Sequence, residues 1–318
     1  MEPKISCVAI IGCGVIGSSW ACLFLSKGLK VVIYDPLAGS KERFQQYLQN
    51  TWPVLQANGG LDNSLAENYT FVDDLALALP EVNFVQENGP EKREFKQQLM
   101  KMLDEHTRRD VVIASSSSGL PSSEFIQECR QNPSRILVGH PFNPPHLLPL
   151  VEVVPNPGTD ATSISTALDF YKKLGKKPIL LHHETPGFVA NRLQAAINNE
   201  AYSLISRGIV SAEDLDTAVS SGPGIRWAST GPIVTNAFGG GGGFEGFLHR
   251  LERLGPSIQR WEEDMLKHRF DWSDQRTSSL KSAVLEWLEG LDWKDMEQER
   301  DRVLVHLLEA KSKSSPTK

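Results

Sequence analysis

The stretch VAIIGCGVIGSSWACLF, residues 8–24, decides the fold. It opens with an apolar run of strand length and closes with an apolar run that suits a buried helix. Between them Gly12, Gly14 and Gly17 form the pattern G-x-G-x-x-G. Glycine at the first position permits a tight turn, at the second it lets the backbone approach a pyrophosphate, and at the third it allows close helix–strand packing. The helix that follows offers free N–H groups and the positive end of its dipole to phosphates. Val15 and Ile16, between the last two glycines, belong with them as cofactor-binding positions.

The fingerprint alone is weak, since a glycine turn occurs in unrelated α/β proteins and FAD uses the same pattern. The next strand, KVVIYDP, ends in Asp35, about 20 residues on, where an acid binds a ribose 2′-hydroxyl. The same acid repels a 2′-phosphate, so the pattern favours NAD over NADP.

Beyond it, VNFVQE, VVIASS, RILVGH, PLVEVV and KKPILLHHE each read as a strand, with helical patterns such as EKREFKQQLMKMLDEH between several of them. Alternating strands and helices predict a mostly parallel sheet covered on both sides, a Rossmann-type α/β domain. From TPGFVANRLQAAINNEAYSLISRGIV onward the pattern is helical, with Thr185 as N-cap, Pro186 at the first helical position and Gly208 as a stop. Ser211 caps the next helix. The expected division is therefore an NAD-binding domain over 1–184 and a smaller all-α domain over 185–318, with Gly239 to Gly243 as a linker or a mobile lid.

Composition excludes several classes. A net charge of −6 argues against nucleic acid or an anionic membrane surface as partner. No apolar run approaches the roughly 20 residues of a membrane span, and MEPKISCVAIIG enters a strand at once, without room for a leader peptide. Cys7, Cys13, Cys22 and Cys129 have no metal-ligand spacing and suit a reduced, cytoplasmic setting. His182-His183-Glu184 resembles a metal cluster, but adjacent strand residues point to opposite faces, so no metal is expected.

Chemistry is expected at GHPFNPPHLLPLVEVVP, residues 139–155. Oxidising an alcohol with a nicotinamide needs a base for the hydroxyl proton, and histidine titrates near neutrality. His140 closes a strand, and strand C-terminal ends are where ligands bind in open parallel sheets. Glu152 lies in an apolar strand, where a carboxylate is costly unless paired. Glu152 is thus the candidate partner that orients His140. A structural histidine and a locally capped glutamate fit the same spacing.

With these residues in place, the chain resembles the 3-hydroxyacyl-CoA dehydrogenase family over nearly its whole length. ASSSSGL, GHPFNP, PLVEV and TPGFVANRL match its motifs in order. The resemblance implies Ser118 as the hydrogen-bond partner of the substrate hydroxyl, His140 as general base, Glu152 as its orienting partner and Asn191 as a polar contact to the reacting oxygen. It also implies that Glu91 and Lys96, in VQENGPEKREFK, line the cofactor site, and that the helical domain makes a homodimer. HPFNPPHLLPLVE and GPGIRWASTGP resemble the lambda-crystallin branch, which implies oxidation of L-gulonate. It also raises a non-catalytic alternative, a lens-type structural protein that binds NAD.

The substrate can be argued independently. CoA carries three phosphates, yet residues 44–91 contain no Lys or Arg. Arg226 suits a small free carboxylate, which its fork binds bidentately, although a structural ion pair is the plainer role. The expectation is an NAD-dependent oxidation of a small 3-hydroxy acid, L-gulonate first, with L-carnitine and 3-hydroxybutyryl-CoA as alternatives. Carnitine would need an aromatic or acidic box for its ammonium, and Trp227 stands beside Arg226.

Overall fold

The computed structural model describes residues 5–59 and 66–314. The chain forms two compact units, residues 1–192 and 193–318. The first is built on an eight-stranded sheet of β1 (Cys7–Ile11), β2 (Lys30–Tyr34), β3 (Tyr69–Phe71), β4 (Phe84–Glu87), β5 (Val112–Ser115), β6 (Ile136–Pro141), β7 (Leu150–Pro155) and β8 (Lys177–Leu180), in the order β3-β2-β1-β4-β5-β6-β7-β8. All neighbours are parallel except β6 and β7. β3, a three-residue edge strand with Thr70 exposed between half-buried Tyr69 and Phe71, has no signature in the sequence.

Alternation along β1 sends Val8 and Ile10 to one face and Ala9 and Ile11 to the other. The first face packs on α1 (Val15–Ser26), α2 (Ser40–Gly59) and α5 (Ala161–Lys173) through Trp20, Phe24, Phe44 and Phe170. On the second face lie α3 (Leu75–Ala78) and α4 (Arg93–His106), with Leu75, Leu99 and Leu103. Apolar surface on both sides of each central strand explains the unbroken apolar runs.

Two features of the sheet position the site. β1 lies between β2 and β4, so the chain reverses its order there and leaves a crevice at their C-terminal ends, where such sheets bind ligands. β6 and β7 are joined by residues 142–149, too few for a crossover helix, so they pair antiparallel. His140 then lies directly opposite Glu152.

Two expectations are corrected. No helix starts at Thr185–Pro186: Gly187 (φ 74°) and Phe188 (φ 52°) are left-handed, and α6 begins only at Ala190, running to Ser206. The glycines of 239–243 do not link the two units. In the second unit they form the tight turn between α8 (Pro223–Gly239) and α9 (Gly243–Lys267), beyond α7 (Ala212–Ser221). A Cβ on Gly240 would stand 1.9 Å from the Gly246 carbonyl oxygen, so only glycine fits.

Ser211 does cap α7, accepting from the Asp214 amide. α10 (Asp274–Leu288) and α11 (Trp293–Lys313) complete the second unit, where Phe270 packs edge-on to Tyr202 and Trp272. Among the described residues no helix is long and apolar enough to cross a membrane.

Candidate active site

The glycine turn follows β1 directly. Gly12 has φ 86°, and a Cβ there would lie 2.9 Å from the Asn88 carbonyl oxygen. A Cβ on Gly17 would lie 1.9 Å from the Gly12 carbonyl oxygen, whereas Gly14 faces open space within 4 Å. That open side, beside a helix N-terminus without a side-chain cap, is what a pyrophosphate requires. Val15 is exposed at the start of α1, and Ile16 is half-buried beside it. Asp35 accepts from the Cys13 amide at 2.7 Å and the Leu37 amide at 2.9 Å, bracing the turn while standing at the end of β2. These residues fit a dinucleotide. Gly17→Ala should weaken NADH binding by about tenfold or more, the scale of an overpacked contact; fluorescence titration checks this, and unchanged affinity would count against the assignment.

At the end of β4, buried Glu87 faces buried Lys96, whose Nζ is 3.0 Å from both carboxylate oxygens. Glu87 also accepts from the Ser115 hydroxyl at 2.5 Å and the Gly89 amide at 2.6 Å. Lys96 reaches Glu91 at 3.6 Å. Glu91 Oε1 in turn accepts from the Ser117 hydroxyl at 2.6 Å and from the amides of Ser118, Gly119 and Leu120 at 2.9, 3.2 and 3.3 Å. One carboxylate oxygen thus shapes the backbone that presents exposed Ser118. Sequence reasoning passed over Glu87, although an acid ending an apolar strand is the same signal that singled out Glu152.

The His–Glu pair is formed by the opposed positions of β6 and β7. His140 Nδ1 lies 2.8 Å from Glu152 Oε2. Glu152 Oε1 accepts from the amides of Val189 and Ala190 at 2.9 and 3.0 Å. The left-handed residues Gly187 and Phe188 turn those two amides toward the carboxylate at the start of α6. Burial raises the Glu152 pKa, but His140 and the two amides outweigh it and hold the carboxyl below its ordinary value. An acid held ionised by three donors leaves the proton on Nδ1 and the lone pair on Nε2. Among the described residues His140 Nε2 has no protein hydrogen bond, and the rings of Phe142 and Phe188 stand 5.3 and 5.6 Å from the imidazole. The arrangement can accept a proton at Nε2 and stabilise the resulting imidazolium.

Asn191 donates to the Ser118 carbonyl at 2.6 Å, so these two residues adjoin. Arg226 belongs to the second unit, exposed on α8. Glu184 accepts from the Ser122 hydroxyl and the Ser123 amide. Among the described residues no His, Cys, Asp or Glu cluster suits a metal ion.

Comparison with known proteins places this geometry in a family. The model for the 3-hydroxyacyl-CoA dehydrogenase NAD binding domain matches residues 7–185, and that for the C-terminal domain of the same enzymes matches residues 187–281. A 3-hydroxyacyl-CoA dehydrogenase of Gibberella moniliformis is 62% identical over 98% of this chain and 97% of its own. An L-carnitine dehydrogenase of Streptomyces coelicolor is 38% identical over 97% of this chain and 96% of its own. Among solved structures, the NAD-dependent 5-formyl-3-hydroxy-2-methylpyridine 4-carboxylic acid 5-dehydrogenase superposes with a TM-score of 0.75 at 29% identity, covering 96% of this chain and 97% of that one.

Proposed function

The chain belongs to the 3-hydroxyacyl-CoA dehydrogenase family and is an NAD-dependent 3-hydroxy dehydrogenase; from that premise we propose that it oxidises the 3-hydroxyl of a small free 3-hydroxy carboxylate, L-carnitine first. The observation that carries the reaction is the His140–Glu152 pair at 2.8 Å, with no protein hydrogen bond to Nε2 among the described residues. His140 takes the hydroxyl proton at Nε2, and Glu152 steadies the cation that forms. Ser118 and Asn191 hold the reacting oxygen. NAD, held by the glycine turn and Asp35, would supply the acceptor for the hydride of the carbinol carbon. Gly12, Gly14 and Gly17, with Val15, Ile16 and Asp35, hold the dinucleotide, while Glu91 and Lys96 shape the wall beside Ser118.

L-Carnitine replaces L-gulonate as first candidate because the named relatives favour it. The trimethylammonium nitrogen of carnitine lies two bonds from the carbinol carbon, so an aromatic ring beside the base is within its reach. Half-buried Phe142 supplies such a ring, whereas Phe188 is fully buried. Arg226 is the candidate partner of the carboxylate. A 3-hydroxyacyl-CoA thioester is the second reading, favoured by the name of the 62% identical relative and opposed by the missing basic residues of 44–91.

The second unit leaves large apolar side chains uncovered, among them Ile225, Ile233, Phe244 and Leu266, each more than 60% exposed. Such surface calls for a partner, and a second copy of the chain is the proposed one. The test of function is NAD reduction by the purified protein: turnover of 3-hydroxy acids but not of 2-hydroxy acids is expected, and the reverse preference would overturn the reading.

A further inference from the structure

Lys176, just ahead of β8, is 7% exposed, and among the described residues no carboxylate pairs with it. A buried ammonium without a counter-ion is costly, so its other contacts must hold it. Its Nζ donates to the carbonyl of Pro145 and, at 2.7 Å, to that of Leu148. The amide of Lys177 donates to the carbonyl of Pro149 at 2.7 Å. All three carbonyls belong to residues 142–149, the loop that joins His140 on β6 to Glu152 on β7. This loop is rich in proline, which lacks an N–H, so it offers few donors of its own and its carbonyls need outside ones.

The loop is held from a second side by α1. The Ser19 hydroxyl accepts from the His146 amide at 2.9 Å and lies 2.8 Å from His146 Nδ1. Trp20, the next residue, lies with its ring centroid 5.0 Å from the Lys176 ammonium. Because α1 begins at the glycine turn, the same clamp ties the cofactor helix to the strands of the His–Glu pair.

We propose that Lys176 is a positioning residue, whose ammonium grips the Pro145 and Leu148 carbonyls and so fixes the spacing of His140 and Glu152 across their loop. The proposal rests on the reading of His140 as the base. The charged group facing the Lys176 ammonium is Lys27, at the end of α1; the loop meets the ammonium through neutral carbonyls, and the Tyr171 carbonyl of α5 accepts from the Lys176 backbone amide. Burial first, and then Lys27, pull its pKa down to about 7. The clamp therefore loses charge as pH rises through neutrality.

The test compares Lys176→Met, Lys176→Arg and His140→Ala with the parent enzyme, each rate divided by the concentration of NADH-binding sites. Lys176→Met should lower kcat roughly 10–100-fold, the scale of a small misplacement of catalytic groups. The KM for NAD should stay near the parent value, the alkaline fall of the kcat/KM profile that follows loss of the Lys176 charge should disappear, and Lys176→Arg should restore most of the rate. If Lys176→Met does not fold, Lys176→Gln is judged by the same criteria. Parent kcat and an unmoved alkaline limb in the folded Met or Gln variant, with His140→Ala inactive, would overturn this proposal alone. Parent turnover in His140→Ala would overturn the catalytic reading and this proposal with it.

Discussion

Replacing His140 by alanine should lower kcat by about 10²–10⁴-fold at neutral pH, the usual contribution of a general base, while NADH binding stays at the parent level. The separation follows from the architecture. The glycine turn and Asp35 lie at the ends of β1 and β2, whereas His140 lies at the end of β6, across β4 and β5. Alanine removes the Nε2 lone pair and leaves Glu152 with its two amide donors from Val189 and Ala190, so the carboxylate keeps partners and the fold is retained. Steady-state rates and a fluorescence titration on the same preparation check both halves. Turnover near the parent rate would remove His140 from the mechanism.

Glu152→Gln should be nearly as damaging, with kcat lowered on the order of 10²–10⁴-fold. A glutamine can still accept from Val189 and Ala190 through its carbonyl oxygen, which turns its NH₂ toward His140 Nδ1. The imidazole then carries its proton on Nε2, the wrong nitrogen for a base. Stability should respond with a definite sign. Because the folded-state pKa of Glu152 is lowered, its contribution is complete above its ordinary value of 4.5 and is lost as pH falls through the lower folded value. The Tm gap between parent and Glu152→Gln should therefore close in acid, as pH falls through the lowered carboxyl value. A gap that persists undiminished well below the ordinary carboxyl range would contradict the assignment of the charge.

How far the sequence could be read depends on whether a signal is local. Gly12, Gly14 and Gly17 could be placed because each answers a steric demand of one turn, and the observed clearances are those demands. The His140–Glu152 pair was legible because an acid interrupting an apolar strand must be paired, and a short connection made the two strands neighbours. Glu87 carried the same signal without a histidine nearby, so its pairing with Lys96 emerged only from the packing of α4 on β4. The start of α6 was misread because Pro186 and the apolar spacing favour a helix. The left-handed turn at Gly187–Phe188 is set instead by the carboxylate it serves, which lies 37 residues before Val189 in the chain. The glycines after α8 carried no periodicity, and their role depends on how closely two helix ends approach.

The most direct test of the central claim is kcat/KM of the purified protein with NAD and, in parallel, L-carnitine, L-gulonate and L-3-hydroxybutyryl-CoA. The account predicts that a free acid exceeds the thioester by on the order of tenfold or more, as expected of a chain without Lys or Arg in residues 44–91. A thioester that outcompetes both acids would contradict it.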